Sequence, residues 1–185
     1  MATVVQHAFV LRSSLVRGAA CALLALATAA GAAGSAGATA HPLIGKLVPE
    51  MSQRLITGPS RNFRLSERRG EVVVLGFWTS WCGSCRSYLE RLAKLDATYA
   101  SAGLVVVGMS LDDDAGKAAE FARAVGARFR NGVDVRKVLG RRFSVAEVPL
   151  TLLIDRDGIV RYAHGELNAA ADAELLLQVR QLLDE

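Results

Sequence analysis

Cysteine is scarce in this chain: three in 185 residues, at positions 21, 82 and 85. So few cysteines exclude a disulfide-stapled scaffold, which needs a denser set. They also leave a zinc site short of ligands, because zinc takes four and the histidines stand isolated at positions 7, 41 and 164. Acidic residues are missing altogether from positions 1 to 40. Asp112-Asp113-Asp114 lacks EF-hand spacing and a glutamate at the right distance downstream. It is therefore read as the cap of a helix, meeting the positive end of the helix dipole. Over residues 41 to 185 charge is nearly balanced, with 20 basic and 18 acidic side chains, a net of +2. Nothing in that balance argues for nucleic-acid binding.

The acid-free beginning has its own order. Arg12 and Arg17 precede an apolar stretch from Gly18 to Ala33, and small residues follow, ending Ala38-Thr39-Ala40. Basic region, moderate apolar region and an A-x-A site are the parts of a secretory signal. The expectation is a signal peptide over residues 1–40, cleaved after Ala40, and one globular domain over 41–185. The alternative is an uncleaved membrane anchor, but the stretch is rich in Ala and Gly and poor in Leu and Ile, so its transfer energy is modest. Cys21 does not suit lipid attachment, because the apolar region follows it. With the signal removed, only Cys82 and Cys85 remain. An exported protein without structural disulfides but with one paired-thiol motif points to redox chemistry outside the cytoplasm.

That pair sits in the stretch from Val72 to Cys85, VVVLGFWTSWCGSC. Its first half is an unbroken run of β-branched, aliphatic and aromatic residues, which suits a strand buried on both faces. After Trp81-Cys82-Gly83-Ser84-Cys85, the apolar residues Tyr88, Leu92, Leu95 and Tyr99 repeat at helical spacing. The pattern predicts a helix over about Gly83 to Ala100, closed by Gly103. Two cysteines three apart at a helix start share one face, close enough for a small disulfide ring. Unpaired N–H groups and the helix dipole there favour a thiolate at Cys82. Cys85, one turn further in, is the natural resolving thiol, and the implied cycle passes through a mixed disulfide at Cys82. A purely structural disulfide between such near neighbours would close a tiny loop and stabilise little.

Elsewhere the pattern alternates strand and helix. Gln53–Ile56 and Asn62–Leu65 read as a hairpin across Thr57-Gly58-Pro59-Ser60. Leu104 to Leu111 is a second buried strand, parallel to the first. Ala118, Phe121, Ala122 and Val125 mark a helix over 115–125 ended by Gly126, and a short helix over 135–139 follows Asp134. The basic residues Arg128, Arg130, Arg136, Lys137, Arg141 and Arg142 read as a solvated face, with a docking patch for an acidic partner as the alternative. Leu150–Ile154 and Ile159–Ala163 pair across the turn Asp155–Gly158. Asn168 caps a last helix whose core face is Leu175, Val179 and Leu182. The fold class is α/β: a central mixed β-sheet flanked by helices on both sides. Pro149 stands directly before a strand, where proline removes a ladder donor, and a Val148–Pro149 bond there has the option of the cis form.

Together these residues resemble the thioredoxin superfamily, most closely its exported TlpA/ResA/DsbE-like thiol–disulfide oxidoreductases. The resemblance runs from about Ile44 to Leu183. It is carried by Gly45-Lys46 with Pro49, by Phe77-Trp78-Thr79-Ser80-Trp81-Cys82-Gly83-Ser84-Cys85, and by Val148-Pro149 leading into Leu152-Leu153-Ile154-Asp155 with Asp157-Gly158. It implies a thioredoxin-like fold with an N-terminal hairpin and a central insertion, the latter within the 63 residues between Cys85 and Pro149. It further implies that Pro149 is the family's cis-proline, facing the cysteines and lending backbone bonds to substrate. Trp81, Gly83, Ser84, Val148 and Glu147 would support the site, with no cofactor. Disulfide-containing exported proteins in the periplasm would be the partners, as in cytochrome c maturation, together with a membrane electron donor that passes thiol equivalents outward. Several positions depart from the pattern: Gly83-Ser84 stands where Gly-Pro is common, and Glu90 where many exported relatives carry proline. Thioredoxins carry a buried acid six residues before the first cysteine, here Gly76. Many exported relatives carry glutamate three residues after the second cysteine, here Tyr88.

Two other chemistries compete for the same residues. Paired thiolates bind Cu(I), and a copper-handling protein would enlist Met109 and His164, although Met109 reads as core and His164 as a surface loop residue. A thiol peroxidase would use Thr79, three before Cys82, but the proline expected four residues before that threonine is Leu75. The adjacent Cys85 also fits disulfide exchange better.

Overall fold

A computed structural model describes residues 41–185, and the expected signal segment lies outside the described residues. The elements are β1 (Ser52–Thr57), β2 (Asn62–Arg64), β3 (Val72–Trp78), α1 (Cys85–Tyr99), β4 (Leu104–Ser110), α2 (Ala115–Ala124), β5 (Arg130–Val133), α3 (Val138–Arg142), β6 (Leu150–Ile154), β7 (Val160–His164) and α4 (Ala169–Asp184). One mixed sheet takes the order β2-β1-β5-β4-β3-β6-β7. β3, β4 and β5 run parallel, while β6 lies antiparallel to β3 on its other side. Every residue of β3 and β4 is buried, which explains why both read as continuous apolar runs rather than alternating ones.

Alternation still decides which layer each side chain enters. Val72, Val74 and Trp78 of β3 point into a core shared with α1, α2 and α4. Val73, Leu75 and Phe77 point into a second core, closed by Leu139 and Phe143 near α3 and by Val48, Met51, Phe63 and Leu65. In α1, Cys85, Tyr88, Leu89, Leu92 and Leu95 form the buried stripe. Full burial of each leucine contributes about 1.5–3 kcal/mol. Gly103 ends that segment with φ 93°, a left-handed conformation glycine adopts without penalty. Asn168 caps α4, its Oδ1 accepting from the Ala170 and Ala171 N–H groups at 3.0 Å. Leu175, Val179 and Leu182 are buried beneath it.

The hairpin β1–β2 forms, with Gln53 opposite Phe63, and β1 also joins the main sheet through β5. β5 itself was not expected. Its sequence, Arg-Asn-Gly-Val, has no strand-like run, and Asn131 and Gly132 are buried in it for contact reasons. Asn131 Nδ2 donates to Thr57 Oγ1 at 2.9 Å, and a Cβ at Gly132 would press on Gln53 Cγ at 2.7 Å. The short helix falls at 138–142 rather than 135–139. Asp134 caps it at a distance, Oδ1 accepting from Val138 N–H at 3.0 Å and Oδ2 from Gly140 N–H at 2.8 Å. Lys137 makes the turn into it with φ 55°. The cysteine helix begins at Cys85, not Gly83, so Cys82 stands just outside it. Among the described residues, no helix is long and apolar enough to cross a membrane.

Candidate active site

The loop Thr79–Ser84 joins the buried end of β3 to the start of α1, and its footing is a carboxylate. Asp112, only 4% exposed, accepts from Ser80 N–H at 3.0 and 3.2 Å and from the Ser80 hydroxyl at 2.8 Å. It also accepts from the Ser110 hydroxyl at 2.7 Å. The aspartate run expected to cap a helix is thus divided in labour. Asp114 is the cap, accepting from Gly116 N–H at 2.7 Å and Lys117 N–H at 3.3 Å. Asp113 pairs with Lys137 at the surface. Asp112 supports the cysteine loop, a role the sequence reading missed. The available signal was its position just past the C-terminal end of β4, beside β3, where open α/β sheets place their sites.

On this footing Cys82 and Cys85 form a disulfide with their Cα atoms 5.3 Å apart. The two halves differ in access: Cys82 is half-buried, whereas Cys85 is fully buried within the α1 core. Cys82 Sγ lies 3.7 Å from Ser84 Oγ and 3.9 Å from the Val148 carbonyl oxygen. Val148–Pro149 is cis and Pro149 is buried. Of the residues picked from sequence, Cys82, Cys85, Ser84, Val148 and Pro149 therefore converge. Gly83 is exposed, with open space where a side chain would project. Trp81 stands beside Cys82 with 75% of its surface in water, an unusual setting for a large aromatic. Grooves flank the pair: Thr79, Trp81, Leu111 and Lys137 line one, and His41, Pro42 and Glu166 line the other beside Pro149. Glu147 is exposed and borders both.

Two residues weighed for copper lie elsewhere. Met109 is buried in the core on the opposite face of the sheet from Cys85. His164, expected in a surface loop, is 1% exposed at the end of β7 and shares a 2.7 Å hydrogen bond with Gln178 on α4. The Ala163-His164-Gly165 context hid this, because the preceding residues alternate too weakly to show which face His164 takes. Among the described residues, no group of three His, Cys, Asp or Glu side chains is gathered as a metal site would require.

Known proteins match this arrangement. The model of the AhpC/TSA family covers residues 44–163. The thiol:disulfide interchange protein DsbE of Yersinia pestis is 36% identical over 129 residues, 68% of this chain and 66% of its own length. The DsbE protein of Escherichia coli K12 is 35% identical over 129 residues, 68% of each chain. The aligned stretch thus spans about two thirds of these relatives. A crystal structure from Chlorobium tepidum, of a protein taken to be a thiol:disulfide interchange protein DsbE, superposes with a TM-score of 0.70 at 32% identity, covering 76% of this chain and 97% of that one. Family, relatives and fold agree: the chain belongs to the AhpC/TSA family, as a thiol–disulfide oxidoreductase of thioredoxin-like fold.

Proposed function

We propose that this protein reduces disulfides of exported proteins, with Cys82 as the attacking thiol and Cys85 as the resolving one. The observation that carries the assignment is the unequal access of the two cysteines: Cys82 is half-buried beside Val148 and Cys85 is fully buried. In the reduced protein, the Cys82 thiolate attacks one sulfur of a substrate disulfide. That bond breaks, the first substrate sulfur leaves as a thiolate and takes up a proton, and a mixed disulfide remains. The Cys85 thiolate, its own proton lost to solvent or substrate, attacks Cys82 Sγ and releases the second substrate thiol. Two electrons have then passed to the substrate, and the protein holds the Cys82–Cys85 disulfide seen here. Cys82 precedes the first turn of α1, where unpaired N–H groups and the helix dipole favour its thiolate.

A substrate strand would lie against Val148–Pro149, with Trp81 offering an apolar platform and Glu147, Gly83 and Ser84 bordering the contact. Renewing the dithiol takes two electrons from outside, and we assign that supply to a membrane donor of the thiol-transfer type. We further assign the protein to the periplasm and to a part in cytochrome c maturation, with residues 1–40 acting as the export signal. The basic, apolar and A-x-A order of those residues supports export, and the thiol:disulfide interchange relatives support the exchange chemistry. The reduction potential of the pair, measured by equilibration in glutathione or dithiothreitol buffers, tests the direction. A value near or below about −270 mV is expected, and one near about −120 mV would make the protein an oxidant and overturn the proposal.

A further inference from the structure

Two of the positions at which the sequence departs from its family pattern, Gly76 and Tyr88, are one contact. Tyr88 lies one turn after Cys85 on α1 and is 2% exposed, with its ring pointing down onto the sheet. Its hydroxyl donates to the Leu150 carbonyl at 3.2 Å and shares a 3.0 Å hydrogen bond with Thr151 Oγ1. Leu150 accepts only, so the tyrosine proton goes there and the threonine hydroxyl donates back. Directly beneath is Gly76, which pairs with Thr151 across the β3–β6 ladder. A Cβ at position 76 would overlap the Tyr88 oxygen and press on Leu92 Cδ1 at 2.8 Å. Glycine at 76 is thus what lets a hydroxyl reach the sheet at this point. Burial also holds the phenol well above its ordinary pKa, against a smaller opposing pull from the Thr151 hydrogen bond, so the donor keeps its proton throughout the neutral range.

The residue so held is functionally placed. Leu150 follows Pro149, and the carbonyl on the other side of that proline, Val148 O, is the one 3.9 Å from Cys82 Sγ. The tripeptide Val148-Pro149-Leu150 therefore faces the attacking sulfur at one end and is tied at the other to the helix that carries Cys85. We propose that Tyr88 is a positioning residue for disulfide exchange: its hydroxyl fixes Leu150 to α1 and so sets the gap between Cys82 and Val148–Pro149 in which the substrate strand lies. This rests on the reading of Cys82 as the attacking thiol. Leu150 also pairs with Phe77 in the sheet, and a phenylalanine at 88 would fill the same volume without the tie from that strand to α1, so the loss falls on substrate alignment rather than on the sulfur itself.

The test uses the full chain with insulin as the disulfide substrate and iodoacetamide as a small probe of Cys82 that needs no docking strand. In Tyr88→Phe, kcat/KM for insulin should fall about five- to tenfold, most of it in KM, the size expected for one lost hydrogen bond to a buried acceptor. The alkylation rate of Cys82 in the reduced protein should stay within about twofold of wild type. Thr151→Val, which keeps the Leu150 bond, should lose less than Tyr88→Phe. Equal losses in alkylation and insulin reduction, or an unchanged KM with only a lower melting temperature, would overturn the proposal and leave Tyr88 a structural residue. Cys82→Ser separates the two readings. If it still reduces insulin, the assignment of Cys82 has failed; if it is inactive while Tyr88→Phe keeps a wild-type KM, only the positioning role has failed.

Discussion

The run Asp112-Asp113-Asp114 offers a graded test, because three adjacent and chemically identical side chains do three different things. Asp112 receives three donors, Ser80 N–H, Ser80 O–H and Ser110 O–H, within 2.7–3.2 Å while nearly excluded from water. Asp112→Ala strands all three. At about 1 kcal/mol net for each, and allowing the hydroxyls to turn toward other partners, the loss is about 2–3 kcal/mol. For a domain of this size that lowers the melting midpoint by roughly 5–12 °C. Asp112→Asn keeps an acceptor for Ser80 N–H and should lose about half as much. Asp114→Ala removes only a cap, costing about 1 kcal/mol. Asp113→Ala breaks a pair whose carboxylate is 93% exposed and should change nothing measurable. Thermal unfolding by circular dichroism, on oxidised protein to hold the disulfide constant, gives the stability order. Insulin reduction gives the second readout: Ser80 lies two residues before Cys82, so only the Asp112 substitutions should slow exchange. Equal midpoints for Asp112→Ala and Asp114→Ala, with unchanged exchange in both, would refute the assigned footing and return the whole run to helix capping.

Two further outcomes follow from buried contacts. Gly76→Ala should cost about 1–3 kcal/mol, because the new methyl drives against Tyr88 and Leu92. In a Tyr88→Phe background the cost should be smaller, and denaturant titration of the four proteins would show the coupling; strict additivity would mean that the hydroxyl is not what the glycine accommodates. Asp96 on α1 has a carboxyl oxygen with no partner, and desolvation raises its pKa despite the opposing attraction of Arg130. Its charged form therefore weighs against the fold above the raised pKa, and that cost fades as pH falls toward the acid range, where the folded protein takes up the proton first. Asp96→Asn should raise the melting temperature at pH 7 and gain progressively less toward pH 4; a gain that grew with acidity would contradict the sign.

How much of this was legible depends on how strongly each residue speaks locally. Val72–Trp78 and Leu104–Ser110 declared themselves because both faces of each strand are buried, leaving no polar interruption. The cysteine pair, Pro149 and the Asn168 cap are local chemistry, and the structure holds them where the pattern put them. β5 was hidden because its place is set by neighbours: Asn131 bonds Thr57 from a hairpin more than seventy residues earlier, and Gly132 makes room for Gln53 and Met109. The short α3 was misplaced because Asp134 caps it from four residues back, across a left-handed Lys137, so adjacency to an aspartate was a poor guide to its start. Asp112 and His164 were misjudged for a shared reason. Each is a polar residue whose burial is offset by partners distant in sequence, Ser80 for the one and Gln178 for the other, and no single window contains both ends of such a contact. The departures at Gly76 and Tyr88 were visible as letters but not as a pair until the helix was laid over the sheet.

The central claim is that Cys82, and not Cys85, receives the substrate. Trapping tests it directly: reduced Cys85→Ser and Cys82→Ser variants are each mixed with a disulfide-bonded peptide, quenched in acid and read by intact mass. The account predicts a persistent mixed disulfide on Cys82 in Cys85→Ser, because the resolving thiol is gone, and almost none in Cys82→Ser, because the remaining sulfur is buried. An adduct that accumulates at Cys85 at a comparable rate would contradict it.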